Sequence, residues 1–396
     1  MLQLKMVCSL GLGAWFLTFT TAGITESTAV QFVATAPTIK RVYHSPQTPG
    51  YTCWTGCWLM PDGRLMTSFH QATGPLERRP HTRQDILDKL SWPPQGKPEY
   101  VKYDMAGLCM SALHLASNDG GKTWRRMSIE HVSTPMNGWT CQAESVTAEG
   151  VIFRAVFGLY LPFYDVPQTA YWQRSTDGSR TWSSPQAFFD ETRWLARAKR
   201  LRVLRNGRLL VSGAVWKPGP HTRHEWSTHS QPALWFSDDQ GQSWSDPLMI
   251  WNEDNIRPSE ELDFAELPNG DLLVVIRVDE TRCRWQTLLR KHHDTWQPEP
   301  VRRLWIPHSG MPDLLATREG PVLHLATDGI AFTNDGGQNW KYLKNQGEII
   351  RTGYYPSSVQ LPDGRIFSIY HVGGDNYYGQ VDQSIESITF KIKKTE

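Results

Sequence analysis

The chain has 396 residues, and its 41 basic side chains nearly cancel its 40 acidic ones, leaving a formal net charge of +1. That balance excludes the electrostatic footprint of a nucleic-acid binder or of a protein that lies on an anionic membrane.

From the N-terminus, residues 1–23 read as a secretory leader. Lys5 supplies the positive charge, Val7–Thr20 is mostly apolar, and small residues follow at Thr21, Ala22 and Gly23, with cleavage near Gly23 or near Ala29. The apolar run is short for a membrane span, so no span is expected, and the mature protein is expected to be secreted or periplasmic. Residues 30–396 then form a single domain. Its first strand is expected around Gln31–Ala36.

Six X-Gly turns follow in order: Asp62-Gly63, Glu149-Gly150, Asn206-Gly207, Asn269-Gly270, Glu319-Gly320 and Asp363-Gly364. Most lead into apolar runs such as Arg208–Gly213 or Asp271–Ile276, and an Asn-Gly or Asp-Gly between β-rich runs is the strongest short-range hairpin signal. Between the hairpins the chain writes nearly the same eight residues four times, at Ser117–Trp124, Ser175–Trp182, Ser237–Trp244 and Thr333–Trp340. In each box the Asp can accept backbone N–H groups within the loop, glycine supplies positive φ, and the closing Trp offers a broad apolar face. A decayed copy surrounds His293–Trp296, and the sixth unit runs out into a strand over Ile385–Ile392. Six similar all-β units of roughly 45–60 residues point to a six-bladed β-propeller. The strand near Gln31–Ala36 is expected to close the ring by completing the blade that the C-terminal strands begin. The long, Pro-rich insert Gln71–Tyr103 interrupts the first unit and contains a short amphipathic stretch near Gln84–Leu90. We expect it to overhang one face of the disc.

Once Cys8 leaves with the leader, five of the six cysteines remain, an odd number that cannot pair completely within the chain. Cys53 and Cys57 on one strand sit about 13 Å apart at roughly 3.3 Å per residue, too far to bridge. Most of the five are expected to be small buried residues. No Cys/His cluster has zinc-ligand spacing, and no nucleotide motif or serine elbow occurs, so no zinc site and no organic cofactor is expected, while a calcium ion held by loop carboxylates stays open.

In a propeller the innermost strand of each blade lines the central channel. Here that strand precedes each Gly turn, so its start and the end of its hairpin partner meet on one face. This places Glu144, Arg200, Glu261, Asp313 and Tyr355, with His70, Arg277, Asp328 and His371, around the channel mouth. The histidines can bind substrate hydroxyls or serve as hydrogen-bonded structural residues, and Asp313 and Asp328 equally serve as satisfied structural carboxylates.

The boxes make the chain resemble the sialidase (neuraminidase) superfamily, in which this Asp-box (BNR) repeat decorates a six-bladed propeller. The resemblance covers almost all of the mature chain. It implies an acid/base carboxylate upstream of the first box, here Asp104 in Tyr103–Leu108. It implies a Glu and an Arg on one hairpin, here Glu261 and Arg277, and a nucleophilic Tyr before a late Leu-Pro-Asp-Gly turn, here Tyr355. A carboxylate bonded to the tyrosine hydroxyl takes its proton, and Asp104 protonates the leaving oxygen and later activates water. This is the Tyr variant of retaining glycoside hydrolysis. Arg277 is expected to clamp the sugar carboxylate, but two of the three family arginines are missing: Tyr51–Cys57 and Leu323–Asp328 contain none. Arg200 or Arg351 is a candidate substitute, and Glu144 is a second acid/base candidate.

The expected function is thus a secreted, exo-acting glycoside hydrolase that removes a terminal, acidic, sialic-acid-like sugar from glycans, acting as a monomer. Two other readings stay open: a non-sialidase glycosidase or polysaccharide lyase on the same scaffold, and a non-catalytic glycan-binding propeller.

Overall fold

The computed structural model describes residues 31–81, 106–132, 143–156, 169–218, 230–253, 255–374 and 378–395. Among these residues there is no helix, and the strands form six sheets, one per blade. The leader, the Gln84–Leu90 stretch, Asp104 and Cys141 lie outside the described residues. The insert begins later than its sequence suggests, because the strand Leu65–Thr73 continues through Gln71.

The inner strands are Tyr51–Leu59, Ala143–Val146, Leu195–Val203, Leu262–Glu266, Asp313–Ala316 and Tyr354–Gln360. Each packs against the next, and the last against the first, which closes the ring. The closure is covalently discontinuous, as expected. Gln31–His44 pairs antiparallel with Ser384–Thr395, from Gln31 opposite Thr395 to His44 opposite Ser384. This closing strand is longer than the Gln31–Ala36 segment expected from sequence. The additional pairs, from Thr38 to His44, do not alternate between polar and apolar, and register shifts between Thr35 and Thr38 and between Arg41 and Tyr43 break the period of two. A small hairpin, Lys344–Asn345 and Glu348–Ile349, also joins the outer edge of this sixth blade.

All six X-Gly turns share one wiring. The glycine N–H donates to the carbonyl three residues back, over 2.9–3.2 Å, and the chain closes with a second bond around it. Every one of these glycines has φ between +84° and +111°, which an L side chain adopts only with strain.

The four boxes also share one wiring. In the first, Ser117 Oγ accepts the Gly121 N–H and donates to Asp119, and Asp119 in turn accepts both the Thr123 N–H and its hydroxyl. The same bonds recur around Asp177, Asp239 and Asp335. Each box docks on the preceding blade. Gly121 lies against Phe367, and Gly337 against Leu273 and Gln286, closer than a Cβ would allow, and a Cβ at Gly241 would come within 3.0 Å of Trp172. The box tryptophans complete this seam: Trp124 meets Phe367, Trp244 meets Trp172, and Trp340 donates to Gln286. The apolar core is accordingly six layers between blades rather than one centre; Leu209, Val211 and Trp235 of the third blade pack on Phe153 and Trp172 of the second.

Three inner strands carry a bulge near their start: between Cys53 and Gly56, between Ala198 and Arg200, and between Tyr354 and Ser357. A bulge turns side chains that would alternate between seams toward the channel. Opposite the second bulge stands Gly213, where a Cβ would fall 1.9 Å from the Arg197 carbonyl oxygen.

Two glycines therefore test two different constraints. At Gly207 a Cβ meets open space but φ is +86°, so Gly207→Ala is expected to cost about 1 kcal/mol. Gly213→Ala forces the bulge to move and is expected to cost about 3 kcal/mol or more. Urea unfolding of both variants measures the difference, and equal losses are incompatible with the bulge being held by that close approach.

Candidate active site

Glu261 immediately precedes the inner strand of the fourth blade, and Arg277 sits near the end of its hairpin partner Leu272–Val278. The Arg277 N–H donates to the Glu261 carbonyl over 2.9 Å, so the hairpin register places the two side chains together. The Arg277 guanidinium NH1 then donates to Glu261 Oε2 over 2.6 Å. Tyr355, 94 residues further along and two blades away, donates its hydroxyl to the other oxygen, Oε1, over 2.9 Å. Three of the residues expected at the mouth are thus joined in one hydrogen-bonded unit.

Burial by itself would raise the Glu261 carboxyl. The Arg277 charge, the Lys199 charge, and the bonds from Arg277 and Tyr355 overcome that and bring it down to about 2. The anion is therefore present at neutral pH, with one oxygen already accepting from the tyrosine hydroxyl. Arg277 is fixed from its other side as well. Its Nε donates to Asp279 Oδ1 over 2.7 Å and to His308 Nε2 over 2.6 Å, and His308 also contacts Asp279. Burial presses on the Asp279 carboxyl too, but bonding to His308 and the charge of Arg277 hold it well below the usual range.

Tyr355 is held under constraint. Its φ is +50°, within the bulge of the sixth inner strand, a conformation costing about 1–2 kcal/mol for a non-glycine residue. A hydrogen bond to a charged acceptor is worth about 1.5–3 kcal/mol, enough to offset it. The ring is clamped as well. His371 stacks on it at 5.7 Å with planes 16° apart, and Tyr354 stacks on His371. Thr55 of the first blade donates to the Tyr355 carbonyl over 2.7 Å. Gly310, with φ of +66°, lies flat against the ring, and a Cβ there would come within 3.3 Å of Tyr355 Cε2. Arg284, fully buried and directly across the strands from Arg277, donates to the Gly310 carbonyl over 2.6 Å and so fixes that wall.

The other expected mouth residues lie elsewhere, which corrects their placement. Arg200 and Asp313 are buried deeper in the channel, where Arg200 donates to the Pro356 carbonyl over 2.8 Å and faces Asp313 at 3.4 Å. With Arg202, Asp263 and Ser358 they tie together the inner strands of blades three to six. An ion-pair knot of this kind is a plug, because unpaired charges at that depth would be too costly. His371 is fully buried behind Tyr355, not on the rim, and desolvation pulls its imidazole down to about 3. His70 is likewise buried, under the edge of Trp54, and desolvation pulls it to about 3. Glu144 lies in the seam between the first two blades, where Oε1 accepts from Ser68 over 2.6 Å. Burial pushes its carboxyl up to about 8, so it is a protonated acid at neutral pH. Asp328 and Arg351 are exposed. Cys53, Cys57 and Cys283 are buried as expected, but Cys109 is exposed at the start of its strand. Among the described residues no group of three His, Cys, Asp or Glu side chains is placed to hold a metal ion.

Four contributors were not foreseen: Lys199, Asp279, Arg284 and His308. Lys199 is the extra residue of a bulge, which leaves no periodic trace. Arg284 stands opposite Arg277 only through strand register, readable once the turn between them is known. Asp279 and His308 sit in loops and carry no positional signal.

No described protein family and no curated protein sequence matches the chain. Its fold does match solved structures. One is a protein of unknown function from Dyadobacter fermentans, 18% identical, with 92% of this chain and 100% of that one covered at a TM-score of 0.59. Another is a sialidase from Streptococcus pneumoniae, 11% identical, with 89% and 70% covered at 0.59. A third is an α-L-arabinofuranosidase from Fusarium graminearum with an iminosugar inhibitor, 14% identical, with 88% and 96% covered at 0.57. The chain thus carries the sialidase-like six-bladed propeller fold.

Proposed function

We propose that the protein is a glycoside hydrolase that removes a terminal sugar, with Tyr355 as nucleophile. One observation carries the reading: a tyrosine hydroxyl held 2.9 Å from a buried, ionised Glu261 that is itself paired with Arg277. A tyrosine is a poor nucleophile at neutral pH unless a base takes its proton. In the first step the Tyr355 oxygen bonds to the anomeric carbon, its proton passes to Glu261, and the glycosidic bond breaks as an acid protonates the leaving oxygen. In the second, water replaces the tyrosine, the same acid group, now a carboxylate, takes the water's proton, and Glu261 returns its own to Tyr355. The acid is Asp104, as the family resemblance implies. The leader-like residues 1–23 support action outside the cytoplasm.

The sugar is acidic if Arg277 clamps a carboxylate. A neutral sugar is favoured by one observation, namely that Arg277 already pairs with Glu261 and Asp279. Purified protein should be offered paired acidic and neutral terminal glycosides. Tyr355→Phe is expected to reduce kcat on whichever is cleaved by about a thousandfold, and Glu261→Gln by about a hundredfold. Unchanged turnover by Tyr355→Phe ends the nucleophile assignment.

Glu144 makes a separate, pH-based prediction. Its folded value, about 8, lies above the ordinary 4.5. Its stabilising contribution is therefore full below pH 4.5 and is lost as pH rises through about 8. The lost amount is at most on the order of 5 kcal/mol. Glu144→Gln should flatten this decline, so that the variant melts higher than the natural protein at pH 8.5 while the gap closes near pH 4.5. Parallel melting curves at both pH values would show that Glu144 is ionised in the fold.

A further inference from the structure

We infer that Lys199 is a positioning residue of the Glu261–Tyr355 pair, a second cation supplied by a different blade from Arg277 that holds the Glu261 carboxylate charged and turned toward the tyrosine hydroxyl. The inference rests on the reading of that pair given above. Lys199 is the extra residue of the bulge between Ala198 and Arg200. Without the bulge, alternation along the strand would send one of two consecutive residues, Lys199 or Arg200, away from the channel. With it, Arg200 reaches the plug and Lys199 reaches the mouth. The bulge itself is possible because residue 213 is a glycine.

The geometry is specific to one oxygen. Glu261 Oε2 takes Arg277, whereas Oε1 accepts from Tyr355 and lies 3.6 Å from Lys199 Nζ. Lys199 faces Glu260 as well, at 3.8 Å. The other charged groups facing Glu261 are Arg277 and Asp279 from its own hairpin and Arg284 from the next strand. Lys199 stands beside the oxygen that must receive the proton. It is buried, at 6% exposure, and a desolvated ammonium is stable only beside carboxylates. Glu260 is the more exposed of its two partners, so the inner contact is the one to Glu261. Once Tyr355 engages a sugar and its hydroxyl leaves Oε1, Lys199 is the cation still facing that oxygen.

The test follows the Glu261 carboxyl carbon by NMR in protein labelled with carbon-13 glutamate, the resonance being assigned by its loss in Glu261→Gln. In the natural protein it should stay at its ionised position from pH 7 down to pH 3. In Lys199→Met its midpoint should rise by about one unit or more into that window, and Lys199→Arg should move it back. If Lys199→Met does not fold, Lys199→Gln, which keeps a polar head in the bulge, decides by the same titration. A resonance that does not move in the uncharged variant overturns the inference. The acid limb of kcat/KM should shift in the same direction, a change that a loss of packing alone does not produce. If the resonance moves but no glycoside is ever cleaved, the hydrolase reading falls and the role of Lys199 as a partner of Glu261 stands.

Discussion

A carboxylate stays ionised inside a protein only when cations and hydrogen-bond donors replace the water it has lost. Glu261 is such a carboxylate, and the upper end of the channel is arranged around it. Arg277 reaches it from the same hairpin, Lys199 from the third blade and Tyr355 from the sixth. None of these contacts is local in sequence beyond the hairpin. They exist because six sheets stand around one axis, and that arrangement depends in turn on the pairing of Gln31–His44 with the C-terminal strand. Opening that pairing would separate the first and sixth blades, and with them Thr55 from the backbone of Tyr355.

The channel divides into two levels with different physics. The lower level, made of Arg200, Arg202, Asp263 and Asp313, is closed on itself: each cation is matched by a carboxylate or a carbonyl, with little or no exposure on the acids. The upper level is asymmetric. It contains a strained tyrosine, a half-exposed arginine and an exposed Asp279. Strain and partial exposure are tolerated there because the plug beneath keeps the inner strands in place. Rigid support below a reactive group is what brings reacting atoms into line without a large ordering cost at each turnover.

The turns and boxes made the architecture legible from the chain. Asn206-Gly207 and Asp363-Gly364 require positive φ, and Asp119 and Asp335 organise identical loops whichever blade they serve. These are local constraints, and local constraints can be read along a sequence. The Glu261–Arg277 relation was also legible, since a single hairpin fixes it. Tyr355 was placed at the mouth by the same strand rule, and only its nucleophilic role rested on likeness to a family; its hydroxyl lies within reach of Glu261. What could not be read was anything that depends on a bulge. The period of two predicts which seam a side chain enters, and one extra residue reverses that prediction. Arg200, expected at the mouth, went to the plug for this reason and Lys199 took its place, while His371, expected on the rim, became the floor under Tyr355. Asp313 went to the plug because a short inner strand places it level with Asp263 rather than with Glu261.

Arg277 sets the remaining question of substrate charge on a physical footing. A guanidinium offers five N–H donors in a planar fork, and a bidentate carboxylate uses two of them. Here NH1 is engaged by Glu261, and Nε by Asp279 and His308. An incoming anion would therefore meet an arginine whose charge two carboxylates already oppose, and would itself stand close to both. For it to bind, Asp279, exposed on its loop, must swing away, because Glu261 is buried and held from two further sides. A neutral sugar, on the proposed function, needs no such movement: a hydroxyl can accept from the NH2 edge, which takes no partner among the described residues. If the protein is the glycosidase proposed above, selection between acidic and neutral sugars depends less on how many arginines the mouth contains than on whether the Asp279–His308 contact opens.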